Sequence, residues 1–269
     1  MLSSTRLLKA ALARHIRSRL LEALRTFRPV RQRDMERLYG RAVAELESAL
    51  RATLFPALPA REGRPKMLAE LIGTSPSEAM YLLDELYRAL PVTGDVCEFG
   101  VAEGATSALL ASELTGTVKN LWIYDSFAGL PAPTEKDVLL DDIFSLGAMA
   151  RYEGTMCYDA AEARRRVAVA RFPPERLHVV EGFIEPTSEL PDRICFAYVD
   201  FDFYQPVTTA LLLIDGRISA GGAVVVDDYG FFSAGAQSAV DEFLAARVGH
   251  YEVVRPLSFA GHFLILRRR

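Results

Sequence analysis

From Asp95 to the C-terminus, short apolar runs alternate with longer stretches of helical spacing. The runs are Asp95–Gly100, Leu121–Asp125, Leu177–Glu181, Ile194–Asp200 and Ala223–Asp227. Runs this short and this apolar suit strands buried on both faces, and the helical stretches between them are long enough to cross over a sheet. The pattern predicts a doubly wound α/β sheet with helices on both sides. A final pair, Tyr251–Arg255 and His262–Leu266, flanks a turn with Ala260-Gly261 and reads as an antiparallel end piece, giving seven strands, mostly parallel. Upstream, apolar residues recur at helical spacing from Leu7 to Leu54, with a break near Pro29, and a further helix is expected from Pro76 to Leu90 with Ser75 or Ser77 as its N-cap. Residues 1–68 are therefore expected to form a helical extension and residues 69–269 the α/β domain.

Few function classes survive the composition. A net charge of −4 gives no general affinity for nucleic acid. No apolar stretch approaches the roughly 20 residues of a bilayer span, and the basic N-terminus lacks the apolar core of a secretory signal. Cys97, Cys157 and Cys195 form no close pair, which points to a reducing cytoplasm rather than to disulfides or zinc. Arg14, Arg17, Arg19, Arg25, Arg28, Arg31 and Arg33 make one basic stretch. It is expected to be a solvated helix face or a subunit contact, favouring a homo-oligomer, with attachment to an anionic surface as the alternative.

In an open α/β sheet, ligands bind beyond the carboxyl ends of the strands. The first strand is followed by Glu98-Phe99-Gly100-Val101-Ala102-Glu103-Gly104, with small residues at Gly100, Ala102 and Gly104. This is not the Gly-x-Gly-x-x-Gly turn that seats a pyrophosphate. A turn preceded by a carboxylate suits a ligand without phosphate whose near end is cationic, such as S-adenosylmethionine. Asp125 closes the second strand, where a carboxylate can accept hydrogen bonds from ribose hydroxyls or can simply cap the next turn. At the fourth and fifth strand ends stand Asp200-Phe201-Asp202 and Asp227-Asp228. Crowded carboxylates repel unless a cation or hydrogen bonds compensate, and an all-oxygen set suits Mg²⁺. Helix capping is the structural alternative.

These residues resemble the macrocin O-methyltransferase family, which methylates sugar hydroxyls of macrolide and aminocoumarin natural products. The markers are Glu98-Phe99-Gly100-Val101, Asp125-Ser126-Phe127-Ala128-Gly129-Leu130-Pro131, Asp200-Phe201-Asp202-Phe203-Tyr204-Gln205, Gly221-Gly222, Asp227-Asp228-Tyr229-Gly230 and Ala239-Val240-Asp241-Glu242-Phe243. The resemblance runs from about Ala69 onward. It implies a Rossmann-like class I methyltransferase, S-adenosylmethionine as methyl donor, a small-molecule hydroxyl acceptor, and Mg²⁺ on Asp200, Asp227 and Asp228. Ala102-Glu103 departs from the family's aromatic and arginine in the first turn, and the lid after Ala132 diverges. The expected roles are as follows. Glu98, Gly100, Ala102, Gly104 and Thr106 hold the amino acid end of the cofactor. Asp125, Ser126 and Phe127 hold its ribose, Gly182 and Phe183 flank adenine, and Asp200 takes the acceptor proton. A catechol acceptor, a nicotinamide-dependent oxidoreductase and a non-catalytic cofactor-binding or assembly protein are the rival readings. The first-turn spacing speaks against the oxidoreductase. His178, inside a strand, is expected to be structural.

Overall fold

The computed structural model describes residues 32–186 and 188–269, and the arginines from Arg14 to Arg31 and the break near Pro29 lie outside the described residues. The chain divides into two units, Met1–Ala42 and Val43–Arg269. Of the first, the described residues are helical, with Met35, Leu38 and Tyr39 exposed.

Seven helices are described: α1 (Gln32–Thr53), α2 (Arg64–Ala69), α3 (Pro76–Ala89), α4 (Ala105–Leu114), α5 (Ala160–Val169), α6 (Tyr204–Asp215) and α7 (Ala234–Ala245). The strands are β1 (Asp95–Phe99), β2 (Leu121–Asp125), β3 (Leu177–Glu181), β4 (Ile194–Val199), β5 (Ile218–Val226), β6 (Tyr251–Val254) and β7 (Leu264–Arg268). They form one sheet in the order β3-β2-β1-β4-β5-β7-β6. The first five are parallel, while β7 lies antiparallel between β5 and β6. The order reverses at β1/β4, the switch point where such sheets open a crevice. No described helix is long and apolar enough to cross a membrane.

Strand side chains alternate between two faces, and the core divides accordingly. Val96, Ile123, Phe196, Tyr198 and Val225 pack with α3 and α4, and Cys97, Phe99, Val199, Val224 and Val226 pack with α6 and α7. Leu50, Phe55, Leu58 and Leu68 join the first of these layers. The guanidinium of the fully buried Arg64 in α2 donates to Glu113 of α4 through Nε at 2.8 Å and Nη2 at 2.9 Å, and Tyr87 Oη donates to the same carboxylate at 2.8 Å. Such a bidentate pair fixes angle as well as distance.

Local signals are met unevenly. Ser75, not Ser77, caps α3: its Oγ accepts from Glu78 N at 3.1 Å and donates to Ala260 O at 2.9 Å. Asp159 caps α5 by accepting from Ala161 N at 2.9 Å. Asp159 and Glu162 have the spacing of a capping box, but Glu162 pairs with Arg165 and Arg166 instead of returning to the cap. β5 begins five residues before the expected Ala223, through Gly221-Gly222, while β7 starts at Leu264 rather than His262. His178 stacks on Trp122 with ring centroids 4.0 Å apart, a packing role. Cys97 and Cys195 are buried free thiols, and Cys157 is exposed.

The lid, the long segment without a strand from Ala132 to Arg176, is anchored by a small core in which its Tyr152 packs with Leu130, Phe203 and Phe232. Asp142 holds the lid's tip by accepting from Tyr152 Oη at 2.7 Å and from the amides of Leu146 and Gly147. These hydrophobic contacts and hydrogen bonds make it an ordered cover rather than a loose loop.

Candidate active site

The carboxyl ends of β1, β2, β4 and β5 surround a cavity of 360 Å³. Gly100, Ala102, Thr106, Asp125, Ser126, Phe183, Asp200, Asp227 and Asp228 all line it, which brings together most residues expected from the sequence. Glu98, Gly104, Phe127 and Gly182 do not. Ile72, Thr74, Ile143, Phe144, Phe231 and Phe232 also line it and were not anticipated.

The turn after β1 is dictated by contact between strand ends. Gly100 has φ 90°, and a Cβ there would fall 1.8 Å from the carbonyl oxygen of Asp200. Only glycine lets β1 leave the sheet this close to β4. Asp125 then ties the turn to β2: its Oδ2 accepts from Val101 N at 2.7 Å and Ala102 N at 3.0 Å, and its Oδ1 from Phe127 N at 2.7 Å. A carboxylate has about four acceptor positions, so three backbone bonds leave one for a ligand in the cavity. Ser126 Oγ is engaged locally, donating to Gly129 O and accepting from Ala128 N.

Glu98 lies beneath the turn, fully buried. Ser107 Oγ donates to its Oε2, and its Oε1 has no partner. Burial, with a smaller push from Asp125, raises its carboxyl to about 8. An expected contact between Glu98 and the cofactor's amino group is thus not among the cavity-lining positions; its place is under α4.

The acidic cluster differs in membership from the expected one. Oxygens of Asp200, Asp202 and Asp228 lie within 4.8 Å of one another. Asp227 lines the same cavity, and Tyr198 Oη donates to it at 2.7 Å and to Asp200 at 3.4 Å, while Asp228 N donates to Asp227 at 2.8 Å. Asp202 and Asp228 both take left-handed backbone, with φ of 59° and 55°. Asp-Asp at this strand end thus brings both carboxylates to the cavity, Asp228 in the close triad and Asp227 held by Tyr198 Oη and the Asp228 amide.

Glu78, in the first turn of α3, was not anticipated. It is 5% exposed, its Oε1 has no partner, and it faces Asp227. Burial and neighbouring carboxylates hold Asp200 and Asp228 well above the usual range, and Asp202 is pushed up to about 8. Burial and Asp227 do the same to Glu78. No arginine or lysine lines this part of the cavity among the described residues. All-oxygen donors this close, short of positive charge, fit a hard divalent cation such as Mg²⁺.

A family model for macrocin-O-methyltransferase (TylF) matches residues 27–256. An 8-demethyl-8-(2,3-dimethoxy-alpha-L-rhamnosyl)-tetracenomycin-C 4'-O-methyltransferase of Streptomyces olivaceus is 24% identical over 201 residues, covering 72% of this chain and 73% of its own. A demethyldecarbamoylnovobiocin O-methyltransferase of Streptomyces niveus is 28% identical over 160 residues, covering 57% of this chain and 59% of its own. Among solved structures, the O-methyltransferase NovP superposes with a TM-score of 0.62 at 20% identity, covering 86% of this chain and 99% of that one. A calicheamicin methyltransferase superposes at 0.54 with 19% identity, covering 91% and 96%. These superpositions establish the class I methyltransferase fold, and with the family match across most of its length the chain belongs to the macrocin-O-methyltransferase (TylF) family of O-methyltransferases.

Proposed function

We propose that this enzyme transfers the methyl group of S-adenosylmethionine to a hydroxyl of a sugar carried by a natural product, with a divalent cation at the acceptor end of the cavity. The observation that carries the reading is the sharing of one cavity by two groups of residues: Gly100–Thr106 with Asp125 on one side, Asp200, Asp202 and Asp228 on the other. Asp125 keeps one acceptor position for a ribose hydroxyl, and Phe183, half exposed at the rim, offers a ring face for adenine. The names of the two streptomycete relatives support a natural-product acceptor, and the sugar named in one of them supports a sugar hydroxyl.

Asp200, Asp202 and Asp228 would hold Mg²⁺, with Asp227 oriented behind them by Tyr198. When bound, the cation supplies Lewis acidity that makes the acceptor hydroxyl easier to deprotonate. Asp200 takes that proton while the C–S bond breaks and the C–O bond forms, leaving S-adenosylhomocysteine. Ile72, Ile143, Phe144 and Phe231 give the acceptor an apolar wall, and the lid excludes water during transfer.

The test is calorimetric titration with S-adenosylhomocysteine, with and without Mg²⁺, beside NAD⁺. Binding of the nucleoside and none of NAD⁺ is expected, and absence of nucleoside binding overturns the reading. An Asp200→Ala enzyme with full turnover overturns the assignment of the base.

A further inference from the structure

The lid meets the sheet through one buried carboxylate that the chemistry above does not use. Asp137 is 4% exposed and accepts four hydrogen bonds, all from uncharged donors. Its Oδ2 takes Thr134 N and Thr134 Oγ1, each at 2.7 Å, closing a tight turn in the lid. Its Oδ1 takes Tyr204 N at 2.7 Å and Ser233 Oγ at 3.2 Å. These last two partners begin the helices that follow the carboxylate-bearing strand ends.

Helix α6 starts immediately after Asp200-Phe201-Asp202-Phe203, and its own N-cap residue, Phe203, has no side-chain oxygen to offer the first amides. Asp137 supplies that cap from 67 residues away. Helix α7 is capped by Ser233, whose Oγ accepts from Gly235 N at 2.9 Å while donating to Asp137. Around this point the lid is laced to the β5–α7 loop. Leu140 N donates to Phe232 O at 3.0 Å, Ala234 N donates to Val138 O at 2.9 Å, and Leu139 bridges to Ser233. The seat is tight: a Cβ on Gly235 would lie 1.8 Å from Asp137 Oδ1. A carboxylate at two helix N-termini is also favoured by both helix dipoles.

We propose that Asp137 is a positioning residue for methyl transfer: from the lid, it caps α6 directly and holds Ser233, the cap of α7, so that the lid wall and the Asp200–Asp202–Asp228 triad hold one geometry together. The inference rests on the reading of that triad as the acceptor end of the site. Asn cannot replace Asp here, because its amide nitrogen faces an N–H or O–H donor whichever way it is turned.

The test compares wild type, Asp137→Asn and Gly235→Ala, the last of which crowds the same seat while leaving the carboxylate in place. Three quantities are measured: hydrogen exchange by mass spectrometry, S-adenosylhomocysteine affinity by calorimetry, and Mn²⁺ affinity by electron paramagnetic resonance. Both variants are expected to exchange about tenfold faster at residues 134–144 and 201–206, as loss of a charge-assisted hydrogen bond implies. Mn²⁺ binding weakens by a similar factor, and S-adenosylhomocysteine affinity stays within about twofold, since Asp125 and the Gly100 turn are untouched. Unchanged exchange in the two segments overturns the proposal. So does faster exchange spread evenly over the sheet, which would make Asp137 a stability residue only. A wild type that binds no Mn²⁺ refutes the metal reading instead, and exchange together with nucleoside affinity still decides whether Asp137 couples the lid to the strand ends.

Discussion

Replacing Gly100 by alanine tests the claim that the first turn is set by the contact of two strand ends. The new Cβ would sit 1.8 Å from Asp200 O. A carbon–oxygen contact relaxes only near 3.3 Å, so the end of β4 or the turn must move by roughly 1.5 Å. Overpacking of this kind costs roughly 1–3 kcal/mol, and holding a non-glycine residue at φ 90° adds roughly 1–3 kcal/mol. The expected loss is therefore roughly 2–6 kcal/mol. For a domain of this size, each kcal/mol lowers the melting temperature by about 2–4 °C. Differential scanning calorimetry should show a fall of at least about 4 °C. The shift also drags Asp200 out of register with Asp202 and Asp228, so Mn²⁺ binding should weaken in the same variant. Gly116→Ala is the control, because a Cβ there meets nothing within 4 Å. A Gly100→Ala protein melting within about 2 °C of wild type would refute the reasoning, since neither strain nor displacement could then be real.

Three further predictions follow from buried charge. Arg64→Met leaves Glu113 buried without its bidentate partner and should lower stability by about 3–5 kcal/mol in urea unfolding, much of it recovered by adding Glu113→Leu. Asp125→Asn puts an amide nitrogen against backbone N–H donors at Val101, Ala102 or Phe127, and S-adenosylhomocysteine affinity should fall about tenfold in calorimetry. Glu98 has its carboxyl raised to about 8, so the folded protein keeps a proton that the unfolded chain releases near the ordinary glutamate value. The stability it contributes is present in full at low pH and is lost as pH rises toward about 8, and Glu98→Gln should flatten that part of the stability–pH curve.

Most of the sheet was legible because strands buried on both faces carry a dense apolar signal bounded by turns. β2 and β3 fall on the expected residues, although β3, at the sheet edge, is only partly buried. The start of β5 was hidden, since Ser219-Ala220-Gly221-Gly222 carries almost no hydrophobic signal, and pairing with β4 and the approach of Cys195 hold it in place. In the site, what sequence order dictates was readable: carboxylates at strand ends, small residues in the first turn, Asp125 after β2. What depends on backbone sign was not. Nothing in Asp200-Phe201-Asp202 or Asp227-Asp228 announces a left-handed residue at 202 and 228. Glu78 was equally hidden, because a glutamate three residues after Ser75 reads as an ordinary helix start. Asp137 lay in a polar stretch whose partners are far along the chain.

The place of β7 has a consequence for how the molecule is assembled. This strand is interior to the sheet although it follows β6 in sequence, and β5 pairs with it over Ala223–Val226. Until Leu264–Arg268 is available, β5 presents an open apolar border that includes Val224 and Val226, the sort of template that recruits strands from other chains. The seam between β5 and β7 thus lies on the strand that delivers Asp227 and Asp228. A nascent or clipped chain lacking β7 would be prone to aggregate before it could present a complete active site.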